Sequence, residues 1–227
     1  MYTPERQTLA QRMEAARLRA VKARVGASNP GPAKAGPPNS GANHHGLSWQ
    51  VASQGSDHLS LMPGQMHFGN RAASLRTLLG SCLAVTLWHP TRRLGGMCHF
   101  LLPTRQRKPS EPLDGRYGDE ALEAMVALLR AARTEPCEYH AHLYGGADTM
   151  PEGSALKFNV GERNIEQGFS LVDRYGFEIQ GVDVGEDVPR SVTLTLQSGA
   201  VDMRRGTGKA PLLQMPQHTT PQHLTRN

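Results

Sequence analysis

The stretch that most constrains this chain runs from Arg76 to Pro103, RTLLGSCLAVTLWHPTRRLGGMCHFLLP. Two apolar runs, 83–88 and 96–102, flank a turn-rich segment, 89–95, that contains Pro90 and Gly95. This pattern predicts a β-hairpin. Side chains alternate along a strand with period two, so a hairpin settles which residues share a face before its register is known. A turn centred between Pro90 and Thr91 sets Cys82 directly opposite His99, with Cβ atoms about 4.5 to 5.5 Å apart; moving the centre by one residue takes the pair to a diagonal of about 7 to 8 Å. In both registers Cys82 and His99 share one face, and Cys98 points to the other.

A thiol becomes a useful nucleophile as its thiolate fraction rises, and a neighbouring imidazole can take its proton or stabilise the anion. The Gly80-Ser81 lead-in lets a substrate carbonyl come close to the backbone, and the N–H groups from Ser81 to Leu83 are candidate oxyanion donors. Thr77 and Ser81 are hydroxyls near enough in sequence to orient the imidazole as a third group. The same spacing also suits an inert buried cysteine beside a satisfied core histidine, and spacing alone leaves both readings open.

The three cysteines, Cys82, Cys98 and Cys137, form no metal-type CxxC pair, and an odd number speaks against a disulfide framework. A reducing, cytoplasmic setting is expected. The N-terminus MYTPERQTLAQRMEAARLRA lacks an apolar core of the signal type, and no run of about 18 apolar residues occurs, so neither secretion nor membrane insertion is expected. The net charge of +5 belongs to one region, because residues 1–56 carry 7 basic and 2 acidic side chains. The rest is formally neutral, and with no RNP-like or zinc-finger pattern, specific nucleic-acid binding is not expected.

Residues 4–25 have helical composition with a weak stripe, and 26–55 are rich in Pro, Gly, Asn and Ser, the composition of a linker. Three regions follow: a basic N-terminal arm and linker over 1–56, disordered or partly helical; one globular domain over 57–205; and a disordered tail over 206–227. Within the domain, HLSLMPGQMHFGN predicts two short strands about a Pro63-Gly64 turn, followed by a strand over 75–79 and the central hairpin. Leu122, Met125, Val126 and Leu129 mark a helix over 118–133, and Ile165, Phe169 and Val172 mark a second over 162–175. Between them, 137–144 reads as a strand ending at the pair Gly145-Gly146, which allows positive φ or a close backbone approach. Strands over 177–184, 191–196 and 200–204 complete the pattern, the last two as a hairpin. The fold class is α+β: a layered αβ sandwich with a mixed or antiparallel sheet and two main outer helices. His140 and His142 share a face but lack a third ligand at a diagnostic spacing, and His44-His45 in the linker is read as an exposed pair, so no metal is expected. Glu162 and Arg163 are read as capping and tying the second helix, and Arg190 as a solvated surface side chain.

The run LLGSCLAVTLWHP followed by GGMCHFLLP closely resembles the CheD family of chemoreceptor glutamine deamidases. The likeness continues through YGDEALEAMVALL, LYGGA, FNVGERNIE, GVDVGED and QSGAV, in the family's order, over about residues 58–205. The resemblance implies a layered αβ fold related to bacterial toxin deamidases and a cysteine-dependent amidohydrolase that needs no cofactor. It assigns the nucleophile to Cys82 in GSC and the histidine to His99 in GGMCHF. The family's threonine falls on Thr77, with an offset of one residue that leaves Arg76 as the neighbouring choice. Cys98 stands where many relatives carry Asn or another polar residue. The implied substrate is glutamine in the cytoplasmic signalling helices of chemoreceptors, and a CheC-type phosphatase is an implied further partner. The same thioester chemistry accepts a glutamate methyl ester, so a receptor methylesterase is a close variant. A non-catalytic adaptor for the phosphatase or the receptor array is the reading of a different class.

Overall fold

Apolar residues of the stretches 83–89 and 94–100 build the centre of the molecule, because both faces of the strands they form are covered. The computed structural model describes Gln11, residues 58–148 and residues 160–207. Apart from Gln11, the expected arm and linker, the helix over 4–25 and His44-His45 lie outside the described residues, as does the expected tail beyond residue 207. Over residues 58–148 and 160–207, nine strands and two helices follow in order: β1 (His58–Ser60), β2 (Met66–Gly69), β3 (Ser74–Leu79), β4 (Leu83–His89), β5 (Leu94–Phe100), α1 (Gly118–Ala131), β6 (His140–Gly145), α2 (Val160–Tyr175), β7 (Glu178–Val184), β8 (Arg190–Thr195) and β9 (Val201–Arg205). A 3-10 turn at Pro136–Glu138 leads into β6, so the strand expected to start at Cys137 begins three residues later.

The strands divide into a four-stranded sheet of order β1-β3-β8-β9 and a five-stranded sheet of order β2-β5-β4-β6-β7. Each is mixed, since β1 runs parallel to β3 and β6 parallel to β7 while the other pairs are antiparallel. The molecule is therefore α+β in three layers: helices, five-stranded sheet, four-stranded sheet. One departure concerns β1 and β2. They flank the expected Pro63-Gly64 turn, but they enter different sheets instead of pairing.

Period two sorts the core. Leu83, Val85 and Leu87 of β4 and Cys98 and Phe100 of β5 face the helices, where they meet Leu122, Met125, Val126 and Leu129 of α1 and Ile165, Phe169 and Val172 of α2. All seven residues of the two helical stripes read from the sequence are buried there. Ala84 and Met97 face the other way, against Leu75, Leu79, Val192 and Leu194 of the four-stranded sheet. Each such aliphatic side chain removed from water contributes about 1.5 to 3 kcal/mol before ordering costs. Cys82 belongs to this second, inter-sheet core.

One side chain contradicts its sequence reading outright. Arg190 is not solvated: it is 0% exposed, and its Nε donates to Asp183 Oδ1 at 2.6 Å. Arg205 reaches the other carboxylate oxygen of Asp183 at 2.9 Å. A buried guanidinium requires such pairing, and here the ion pair links β7 of one sheet to β8 of the other.

Candidate active site

The ladder between β4 and β5 pairs Leu83 with Phe100, Ala84 with His99 and Val85 with Cys98. The hairpin therefore centres one residue later than the midpoint between Pro90 and Thr91, and Cys82 takes the diagonal position relative to His99. The reason lies in the turn, where Arg93 adopts φ 50 and its N–H donates to His89 O at 2.9 Å. The shared face survives the change of register, as period two requires. Cys82 and His99 lie between the sheets, and Cys98 lies among the helix-facing residues.

Thr77 comes to the same place from the other sheet. In β3 the residues alternate, so exposed Arg76 points outward and Thr77 inward. Thr77 Oγ1 lies 2.8 Å from His99 Nδ1 and 2.8 Å from Leu61 O. The hydroxyl has one proton. If it donates to Leu61 O, it must accept from Nδ1–H, and every atom of that chain is satisfied; the opposite arrangement leaves the Leu61 carbonyl without this donor. This assigns the neutral imidazole its proton at Nδ1 and its lone pair at Nε2. Nε2 is buried and has no hydrogen-bond partner among the described residues.

Burial sets the charges. Cys82 and His99 are each 1% exposed. Desolvation pushes the Cys82 thiol up to about 12, against a small opposing pull from its own backbone N–H. It pushes His99 down to about 4, partly offset by the Leu61 carbonyl. Near neutral pH the pair is thus thiol and neutral imidazole, not a thiolate-imidazolium ion pair. Such a pair moves its proton only as the sulfur forms its new bond, with Nε2 as the acceptor.

The turn carrying Cys82 is held from one side. Ala147 N donates to Gly80 O at 2.9 Å, Asn164 Nδ2 to Ser81 O at 3.0 Å, and Gly146 N to Cys82 O at 2.7 Å. In a trans peptide the N–H points opposite the preceding carbonyl, so the Ser81 and Cys82 N–H groups face away from that side. Leu83 is already part of β4. The Gly145-Gly146 pair makes the grip possible: Gly145 has φ 110, and a Cβ there would lie 2.2 Å from Cys82 O. Gly161 of α2 packs on the same loop, where a Cβ would lie 2.5 Å from Gly146 O.

Of the three residues singled out for catalysis, Thr77 and His99 are joined by a hydrogen bond, and Cys82 lies on the same inter-sheet face, on the diagonal one residue beyond the ladder. The structure does not engage Ser81 with the imidazole; the Ser81 carbonyl is bound instead by Asn164. Asn164 was missed because a helical Asn reads as a surface residue, although it sits inside the motif FNVGERNIE. Among the described residues no three His, Cys, Asp or Glu side chains cluster as a metal site, and no helix is long and apolar enough to cross a membrane.

A family model described as CheD chemotactic sensory transduction matches residues 101–205. A protein of Pseudomonas syringae pv. tomato named probable chemoreceptor glutamine deamidase CheD is 40% identical over 149 residues, covering 65% of this chain and 88% of that one. Its counterpart CheD 1 from Chromobacterium violaceum is 37% identical over 179 residues, covering 78% and 92%. A solved structure, the hypothetical protein YfiH of Bacillus licheniformis, aligns at a TM-score of 0.34 and 13% identity over 60% of this chain and 62% of that one, a likeness too slight to carry an argument.

Proposed function

The chain belongs to the CheD family, and on that premise we propose that it is a cysteine-dependent deamidase that converts glutamine side chains of chemoreceptors to glutamate. The observation that supports this reading is the hydrogen bond of Thr77 to His99, with Cys82 on the same inward face, in a chain whose relatives are named for that reaction. The Cys82 sulfur attacks the carboxamide carbon while the thiol proton passes to His99 Nε2. The Ser81 and Cys82 N–H groups stabilise the tetrahedral oxyanion. His99 returns the proton to the departing nitrogen, which leaves as ammonia, and a thioester remains on Cys82. Water then attacks the thioester carbon, its proton goes to Nε2, and collapse releases the carboxylic acid and restores the thiol. The acid so formed gives its proton to the freed ammonia, so the balance is glutamine plus water to glutamate plus ammonium, and each turnover adds one negative charge to the receptor.

Thr77 fixes the imidazole tautomer throughout, and no cofactor enters any step. The relation to bacterial toxin deamidases, a cytoplasmic location and a CheC-type phosphatase partner are the finer parts of the same reading, supported by the motif resemblance. To test it, the protein and its Cys82→Ala form are incubated with a chemoreceptor cytoplasmic fragment. Amide-to-acid changes are mapped by mass spectrometry, and released ammonia and methanol are measured. Conversion with ammonia release by the wild type alone is expected. Full activity in Cys82→Ala overturns the reading, and methanol without ammonia identifies a methylesterase instead.

A further inference from the structure

Asn164 is fully buried on α2, a place where an amide costs desolvation and adds little to helix propensity. Its Nδ2 donates to Ser81 O at 3.0 Å and to Leu101 O at 2.8 Å. Two carbonyls converge on this atom, so it is the nitrogen of the amide, and the orientation of the group is fixed by chemistry. Ser81 directly precedes Cys82, and Leu101 follows His99 by two residues.

The β4–β5 ladder ends at the Leu83–Phe100 pair, one residue short of Cys82. Beyond that rung, Asn164 joins the two strand ends: one NH2 group holds the turn that carries the thiol and the strand end that follows the imidazole. Its Oδ1 is buried with no hydrogen-bond partner among the described residues. An amide kept dry with half of its capacity unpaired is a poor choice for stability alone.

We propose that Asn164 is a positioning residue, which sets the Cys82 sulfur relative to the His99 imidazole from a helix outside the hairpin. The inference rests on the catalytic reading of Cys82 and His99. Through the rigid α2, the spacing of thiol and imidazole depends on how the helix docks on the five-stranded sheet.

The test uses the full chain with Asn164→Ala and with Asn164→Asp, which keeps the shape and loses the double donor. Initial rates on a chemoreceptor cytoplasmic fragment give kcat and KM, and iodoacetamide labelling read by mass spectrometry follows Cys82 and Cys98 separately. Expected for Asn164→Ala is a fall in kcat of about 100-fold, the scale of an ångström-sized misplacement, with KM within threefold. Cys98, on the opposite face of the sheet, stays as protected as in the wild type. For Asn164→Asp, kcat relative to wild type rises as pH falls, because a protonated carboxyl regains one donor. A kcat of Asn164→Ala within threefold of wild type overturns the proposal. So does a parallel rise in Cys98 labelling, which marks general loosening. Cys82→Ala is run alongside: if it is active, the catalytic reading itself has failed, and if it is inactive while Asn164→Ala is unimpaired, only the positioning role has failed.

Discussion

Replacing Thr77 by valine keeps the shape of the side chain and removes one oxygen, and the structure gives the consequences on two axes. Thr77 is 3% exposed, and its hydroxyl bridges His99 Nδ1 and Leu61 O, each at 2.8 Å. Without it a buried N–H and a buried carbonyl lose their partner at once. Each such orphan costs about 1 to 3 kcal/mol, so a loss of about 2 to 6 kcal/mol in unfolding free energy is expected from urea titration. Catalysis suffers separately, because nothing then holds the proton on Nδ1 and leaves Nε2 free as the base. General-base contributions run from about 10²- to 10⁴-fold, and losing the tautomer control should forfeit roughly 10- to 100-fold in kcat. Thr77→Ser keeps the oxygen and should keep most of both. The assay pairs receptor-fragment deamidation with 15N NMR of the His99 ring, whose two nitrogens report the tautomer directly. A Thr77→Val protein that is less stable but retains wild-type kcat, or one whose His99 still carries its proton at Nδ1, would refute the tautomer argument and leave Thr77 a structural residue.

Two further perturbations follow from the same geometry. His99 has a folded-state pKa of about 4 against an ordinary 6.5, so between these values the unfolded chain binds a proton that the folded one refuses. Stability is full above pH 6.5 and falls as the pH drops towards 4, by about 3 kcal/mol in total. His67 and His89 are also held low by burial and act in the same sense; the contribution of His99 is therefore read as the difference between wild type and His99→Gln in urea titrations at pH 4.5 and 7.5. Equal acid sensitivity of the two proteins would count against a neutral buried His99. Gly145→Ala places a methyl group 2.2 Å from Cys82 O at φ 110 and should cost about 3 kcal/mol together with most of the activity. Gly176→Ala, at φ 79 with open space around it, should cost only about 1 to 2 kcal/mol and leave activity intact. Similar losses of both stability and activity in the two variants would show that strain, and not the approach to Cys82, governs Gly145.

What the sequence made legible was whatever period two or period 3.6 controls. Parity placed Cys82 with His99 and apart from Cys98 without any knowledge of the turn, and the helical stripes named buried residues of α1 and α2. The register itself was hidden, because it depends on how Arg93 and its neighbours close the hairpin, which neither hydrophobic pattern nor turn composition encodes. Which of Arg76 and Thr77 faces inward became plain only in the alternation of β3. The partition into two sheets was likewise invisible, since β1 and β2 around Pro63-Gly64 look like a hairpin and are separated by long-range pairing with β3 and β5. Arg190 and Asn164 share one cause of misreading. Polar side chains are assigned to the surface by default, and only tertiary contacts supply the carboxylate or the pair of carbonyls that makes their burial tolerable.

The four-stranded sheet has an origin that bears on when the site comes into being. Its order, β1-β3-β8-β9, joins strands from both ends of the domain, while Cys82 and His99 lie in a hairpin near its start. On a ribosome that hairpin emerges early, with β3 offered only the three-residue pairing of β1. The partner that aligns β3 along its whole length, β8, is among the last elements translated. Full-length pairing of the strand that bears Thr77 therefore waits for the closing hairpin, while the hairpin that bears His99, with Cys82 just before it, is already translated.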